Sequence, residues 1–355
     1  MQDDIDALRA RIRDLDRELV ALAAERVATA RRVGEAKRRA DRPIVDYGQE
    51  RVVLDRARAA AAAAGLDPGI AESILGTLIR AAVSAQDQDN WRTASVGAGQ
   101  AAVVVGGEGR MGRWFARFLA DQGFDVSVAD PRGSAADNAR AQAAMASASL
   151  IVCSTPPAAT AEVYDGWRAA PPSGVIVDIA SIKSPLIDPI RQLQQAGARV
   201  ASIHPMFGPS VVLLRECDVV VCDTGDDQAA AVVSQLFTTT TARLLHLPLA
   251  EHDRLMADVL TLAHATTIAF ALALPDTPVP VRSTTLSALQ TLSANVVRES
   301  PDVYYEIQAL NPNSAASLDR LAGAIDRVRQ AVAARDADAF RELMEDGKGR
   351  TEVTS

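Results

Sequence analysis

The groups best placed to do chemistry begin with three glycines. Residues 101–130 read AAVVVGGEGRMGRWFARFLADQGFDVSVAD: a β-branched run at 103–105, then Gly107, Gly109 and Gly112, a helical periodicity, and a second strand-like run closed by Asp130. The spacing G-x-G-x-x-G between two strand-like runs is the βαβ dinucleotide fingerprint. Gly107 is expected at the tight turn, Gly109 where the backbone approaches a pyrophosphate, and Gly112 where helix and strand pack closely. The helix N-terminus offers the anion free N–H groups and the positive end of its dipole. Arg110 and Met111, between the glycines, are further candidate cofactor contacts. Asp130 lies 18 residues past Gly112, placed to accept hydrogen bonds from the adenosine ribose. The acid favours NAD over NADP, whose extra phosphate it would repel, and Arg132 is the nearby opposing charge.

A second set of groups falls at strand ends, where an open α/β sheet places its ligands. In SIHPMFGP, His204 follows a strand-like run, is held extended by Pro205 and precedes a glycine-proline turn. A histidine so placed is a candidate proton acceptor. DIASIKSP delivers Asp178, Ser181 and Lys183 to another strand end, where an ordinary turn with a helix cap is the alternative. Cys153, Cys217 and Cys222 lie in apolar runs without metal spacing and are expected to be reduced, buried thiols. No metal site is expected.

These groups need a scaffold of more than one domain, and 355 residues supply it. A composition 48% hydrophobic with net charge −8 fits a globular chain and argues against a nucleic-acid surface. No signal-peptide pattern opens the sequence, so a cytoplasmic protein is expected. The most membrane-like run, 259–274, holds His264 and threonines and is too short for a confident span, so a core helix is expected there.

Residues 4–38 read as one long helix, with Ile5, Leu8, Ile12, Leu15, Leu19 and Leu22 three and four residues apart, a heptad seam that calls for a partner. Helices at about 49–64 and from Pro68 to about 88 complete a three-helix unit whose core comes mostly from dimerisation. Arg26 and Lys37 share one face of the long helix about 16 Å apart, a spacing that long side chains could close around a small dianion. Arg9 lies roughly 25 Å from Arg26 along the same rod, so it could join them only from an antiparallel second chain. The same pattern also fits a solvated basic face. The polar stretch 89–100 reads as a linker. Strand candidates at 150–154, 175–179, 199–203 and 219–222 alternate with helical segments, as in a doubly wound sheet. After about 247 the pattern is helical, at 249–274, 283–299, 301–309, 314–335 and 337–346.

The first unit, ALRARIRDLDRELVALAAERVATARRVGEAKRR followed by RPIVDYGQER and a helix carrying Gln86, resembles the all-helical chorismate mutase family over its whole length. The resemblance implies an intertwined dimer with each site built from both chains. Arg9 of one chain and Arg26 and Lys37 of the other would hold the substrate carboxylates, Lys37 and Gln86 would meet the ether oxygen, and Asp46 and Glu50 would face the ring hydroxyl. Gln49 stands where that family usually carries another carboxylate-binding arginine.

GGEGRMG, DIASIKSP, HPMFGP and EHD at 251–253 together resemble the prephenate dehydrogenase family over about 101–345. The resemblance implies that His204 takes the proton of the C4 hydroxyl while C4 gives hydride to NAD. It implies Ser181 supporting the histidine and substrate, and His252 near the pyruvyl side chain. Asn295 stands where the family places a prephenate-clamping arginine, with Arg298 one turn later and Arg282 before the helix as possible substitutes.

The expected architecture is a multidomain chain of α/β and all-α parts. A chorismate mutase-like helical unit occupies 1–90, a Rossmann-type NAD-binding domain 101–247 and a helical substrate and dimerisation domain 248–350. The expected function is bifunctional: chorismate to prephenate, then NAD-dependent oxidative decarboxylation to 4-hydroxyphenylpyruvate in tyrosine biosynthesis. One alternative keeps both reactions on the 4-amino-4-deoxy analogues, motivated by Gln49, Asn295 and the acids Asp46 and Glu50. A third reading makes the mutase-like unit a non-catalytic effector or dimerisation module. The expected partners are these small molecules and a second copy of the chain, with no nucleic acid and no membrane.

Overall fold

A computed structural model describes residues 2–40, 47–211, 214–215, 217–277, 280–281, 283–298 and 300–351. Asp46 and Arg282, both singled out above, lie outside the described residues.

Three helices, α1 (Gln2–Arg39), α2 (Tyr47–Ala63) and α3 (Pro68–Ala94), form the first unit. The start of α3 is fixed by Asp67, whose carboxylate accepts from the backbone N–H groups of Gly69 and Ile70 at 2.8 and 3.3 Å, with proline at the first helical position. The heptad seam of α1 is uncovered within one chain, and Leu8, Ile12, Leu19 and Leu22 are each more than half exposed.

The expected linker is half helix. α3 continues to Ala94 because Trp91, inside that polar stretch, is buried edge-on against Phe118 of the next unit with ring centroids 5.1 Å apart. Arg92 pairs with Asp121 at 3.0 Å, and the chain turns only at Ser95, in the left-handed region at φ 44°. The first unit therefore shares a helix with the second instead of hanging from a tether.

The central unit alternates β1 (Ala101–Val105), α4 (Arg110–Asp121), β2 (Asp125–Ala129), α5 (Ala135–Met145), β3 (Leu150–Cys153), α6 (Pro157–Trp167), β4 (Val175–Asp178), α7 (Ile187–Gln195), β5 (Arg199–Pro205), β6 (Asp218–Asp223), α8 (Asp227–Thr238) and β7 (Arg243–Pro248). The strand order is β2-β1-β3-β4-β5-β6-β7, parallel throughout except where β6 runs antiparallel to β5. Alternate residues feed two cores, one per face. Val104, Val152, Val177 and Ile203 pack with α4 and α8 on one side, and Val103, Ile151, Ile176 and Val200 pack with α5, α6 and α7 on the other. β7 was not among the sequence-derived strands, because its RLLHLP alternates half-buried and exposed positions at the sheet edge. The order reverses at β1, between β2 and β3, the switch point where α/β sheets bind ligands. Cys153, Cys217 and Cys222 are free thiols, the first and last buried and Cys217 half-buried.

The remaining helices are α9 (Leu249–Met256), a π-helical turn at Ala257–Leu262, α10 (Ala263–Ala273), α11 (Thr284–Val297), α12 (Pro301–Ala309), α13 (Ser314–Ala334) and α14 (Ala337–Thr351). The core helix expected at 259–274 is not a core helix within one chain, since α10 buries none of its residues and Leu272 is 81% exposed. Its apolar character serves a surface that a single chain leaves open.

Candidate active sites

The dinucleotide cradle forms where β1 meets α4. The left-handed turn falls on Gly106, at φ +78°, one residue before the glycine expected to make it. A Cβ on Gly106 would stand 2.6 Å from the carbonyl oxygen of Ser154, at the end of β3. Gly107 is instead needed for close approach to Val128 of β2, and a Cβ on Gly112 would sit 2.2 Å from the Gly106 oxygen, so strand and helix touch through bare backbone. Gly109 is the N-cap of α4 and provides no side-chain cap, which leaves the helix N-terminus open to an anion. Met111 packs into the core and fixes α4, while Arg110 lines a cavity of about 570 Å³ with Gly107, Arg113 and Arg117.

Asp130 follows β2 and is 4% exposed. Its carboxylate accepts from the N–H groups of Glu108 and Arg132 at 3.1 and 2.9 Å, and from the Arg132 guanidinium at 3.1 and 3.2 Å. The Arg132 hydrogen bond holds Asp130 below the usual carboxylate range. An open helix end, a glycine cradle and a buried acid fit NAD. Asp130→Ala is expected to weaken NAD binding and relax discrimination against NADP, as it frees Arg132 for a phosphate. Titration of both cofactors checks this, and unchanged constants would remove Asp130 from the site.

A buried polar chain lies at the carboxyl ends of β4 and β5. His204, 5% exposed near the end of β5, is joined from its Nδ1 to Nε2 of His252 at 3.0 Å. Nδ1 of His252 is 2.7 Å from Oδ1 of Asp253. Asp253 also accepts from the Lys183 N–H at 2.8 Å, the Ser184 N–H at 2.7 Å and the Ser184 hydroxyl at 2.5 Å. The amide of Asn311 holds the Asp253 carbonyl at 2.8 Å. Burial alone would raise Asp253, but the hydrogen bonds from His252, Ser184 and the backbone outweigh it and hold the acid low.

An ionised carboxylate only accepts, and that fixes the tautomers along the chain. His252 donates from Nδ1, its neutral Nε2 accepts, and His204 therefore donates from Nδ1 and keeps its lone pair on Nε2. Burial above all, with the neighbouring His252 and the positive Lys183 also opposing a proton there, holds His204 well below the ordinary histidine value, so it is neutral and able to act as a base. Beneath it, Lys183 is fully buried, donating to Asp178 at 2.6 Å and to the Ile203 carbonyl at 2.7 Å, which fixes the peptide that carries His204.

His252 is wholly buried, with Nε2 toward His204 and Nδ1 toward Asp253. Ser181 is half-buried just past the end of β4, and the nitrogen that meets the His204 imidazole belongs to His252. Asp253 was legible only as the last letter of EHD, and Asn311 had no signal at all.

Asn295 and Arg298 share a face of α11 and line a polar pocket of about 440 Å³ with Ser287, Gln290 and Thr291. Among the described residues that line it, none comes from β4, β5 or α9.

In the helical unit, Gln86 is 8% exposed and donates to the Ala30 carbonyl at 2.6 Å. Gly34 makes room for it, since a Cβ there would stand 2.8 Å from the Gln86 side chain. Arg26 points a buried Nη1 at no acceptor among the described residues, the unfilled donor an anion site requires. Lys37 is half-buried further along the same helix. Arg9 is exposed on α1 and pairs with Asp6 at 3.5 Å, apart from the others as its spacing requires. Glu50 accepts from Arg215 of the central unit at 2.6 Å.

Comparison with known proteins bears on both halves. Residues 8–87 match the chorismate mutase type II family, 116–246 the prephenate dehydrogenase nucleotide-binding domain, and 273–344 the TYRAAT1-like C-terminal domain. The 4-amino-4-deoxyprephenate dehydrogenase of Streptomyces pristinaespiralis is 33% identical over 268 residues, 70% of this chain and 90% of that protein. The chain belongs to the prephenate dehydrogenase family. A T-protein of Enterobacter agglomerans is 28% identical over 332 residues, 90% of this chain and 86% of its own length, so the likeness extends through the mutase unit. The fold is that of the Aquifex aeolicus prephenate dehydrogenase solved with hydroxyphenyl propionate and NAD+, at TM-score 0.56 and 17% identity, over 72% of this chain and 99% of that one. As in the family, a nucleotide-binding domain precedes a helical region, and here a chorismate mutase unit precedes both.

Proposed function

We propose that the chain converts chorismate to prephenate and then, with NAD, prephenate to 4-hydroxyphenylpyruvate, two consecutive steps of tyrosine biosynthesis. The observation that carries the second step is the Asp253–His252–His204 chain, which leaves a neutral Nε2 lone pair at the end of β5. Nε2 of His204 takes the C4 hydroxyl proton as the C4–H bond breaks, and the ring carboxylate leaves as carbon dioxide while the ring becomes aromatic. NAD, when bound, accepts the hydride. Gly106 to Gly112 and the open N-terminus of α4 hold its pyrophosphate, and Asp130 its ribose. The mutase step is an intramolecular rearrangement. Arg26, Lys37 and Arg9 compact the substrate through its carboxylates, and Lys37 and Gln86 stabilise charge on the breaking ether. The unfilled Arg26 donor and the fitted Gln86 favour a working site over a mere dimerisation module.

The functional unit is a homodimer in the cytoplasm. The bare α1 seam and the unburied α10 are the apolar faces that support it, and a second copy would bring Arg9 to Arg26. Mixing Arg9→Ala chains with Arg26→Ala chains is expected to restore part of the mutase activity, because one site of each heterodimer keeps both arginines. No recovery in verified heterodimers would sink the shared site.

A second reading, the same chemistry on 4-amino-4-deoxyprephenate, is favoured by Asn295, an amide where a carboxylate clamp is expected, and by the Streptomyces relative. Side-by-side kcat/KM on both substrates with NAD decides. The leading reading predicts efficient prephenate turnover with little gain from Asn295→Arg. A strong preference for the amino compound, shifted back by Asn295→Arg, would replace it with the second reading.

A further inference from the structure

Glu50 belongs to the mutase unit, yet its partner does not. Arg215 lies between β5 and β6 and donates from Nη1 to Oε1 of Glu50 at 2.6 Å, with side chains only 13% and 25% exposed. The position of Arg215 is set from beneath. Leu214 is 2% exposed in the sheet core, and the Cys217 N–H closes a turn on its carbonyl at 3.0 Å. Phe207 and Val211, earlier in the same loop, pack against that core too. The guanidinium thus projects from a clamped turn.

The contact is not isolated. Asp87, next in sequence to Gln86, is 1% exposed and accepts from the Thr241 hydroxyl at 2.6 Å, another link from the central unit. Burial pushes its carboxyl up to about 6, against the Thr241 hydrogen bond and the opposing charge of Arg215. With Trp91 buried beside Phe118, helices α2 and α3 are both seated on the dehydrogenase. Arg215 thus holds Oε1 of Glu50 from the dehydrogenase side.

We propose that Arg215 is a positioning residue for the mutase reaction: it fixes Glu50 from the dehydrogenase unit, so that the mutase site is complete only when the two units are docked. The inference rests on the reading of the first unit as a working mutase with Glu50 in its site. It also ties the two sites to one loop, which leaves β5 after Pro205, the residue next to His204, and carries Arg215 near its far end.

The test uses the full-length chain, with mutase activity followed on chorismate and dehydrogenase activity on prephenate. Arg215→Gln is expected to lower mutase kcat/KM by roughly 10- to 100-fold, the scale of one lost charge-assisted hydrogen bond, and to leave dehydrogenase kinetics unchanged. Arg215→Lys should recover part of the loss. In a double-mutant cycle, Glu50→Gln with Arg215→Gln should be no worse than Glu50→Gln alone, because Arg215 acts through Glu50. Full mutase activity in Arg215→Gln, additive losses in the cycle, or parallel loss of both activities would overturn the inference. If wild-type chain turns over no chorismate, the mutase reading itself fails and takes this inference with it. Wild-type turnover with an indifferent Arg215 removes the inference alone.

Discussion

His204→Asn is expected to lower dehydrogenase kcat by about 10²- to 10⁴-fold, the range for loss of a positioned general base. Asparagine is the informative replacement, since its amide can still donate to Nε2 of His252 and keep the chain to Asp253 intact. It offers no lone-pair nitrogen to the C4 hydroxyl. NAD binding and mutase activity should be unaltered, and loss of all three would indicate misfolding. The wild-type acid limb should lie below the ordinary histidine value of 6.5, because burial first, and then the neighbouring His252 and the positive Lys183, depress His204. Stability follows the same sign. A depressed folded value means that the unfolded chain binds more protons, so the contribution of His204 is full above 6.5 and is lost as the pH falls toward the folded value. His204→Asn should therefore be the less acid-sensitive protein, read from unfolding midpoints across pH 5 to 8.

Lys183→Met should cost about 3–5 kcal/mol of stability, because it strands a buried carboxylate. Lys183 and Asp178 are both fully buried, and Oδ2 of Asp178 already lacks a partner among the described residues. Without the ammonium, Oδ1 keeps only the Ala180 N–H at 3.1 Å, and the Ile203 carbonyl loses its donor next to His204. Denaturant unfolding of the dehydrogenase transition measures the loss. Adding Asp178→Asn should recover much of it, since no buried charge then remains. A single variant as stable as wild type would show that the pair is solvated or dispensable.

The parts of the fold with strong local periodicity were legible in the sequence. The α1 heptads, the first βαβ unit and the strand ending at His204 lie close to where their patterns place them, because each buries one face or packs on both. What was hidden depends on tertiary contacts. Trp91 sits among polar neighbours, and only the facing Phe118 explains why the helix persists through them. β7 has no continuous apolar run, and the antiparallel entry of β6 is a matter of topology rather than composition. The fingerprint glycines were visible, yet the positive φ that assigns the turn to Gly106 was not. His252 was visible as a candidate, but its links to His204 and Asp253 were not. Arg215 and Glu50 are 165 residues apart, with nothing local to pair them.

The most direct test of the account supplies purified chain with chorismate alone and follows every product. Without NAD+, chorismate should be consumed and prephenate should accumulate. On addition of NAD+, prephenate should give 4-hydroxyphenylpyruvate with one NADH and one carbon dioxide per molecule, and His204→Asn should stop the sequence at prephenate. Chorismate left intact, or prephenate that accumulates in wild-type enzyme with NAD+ and yields no NADH, would contradict the account.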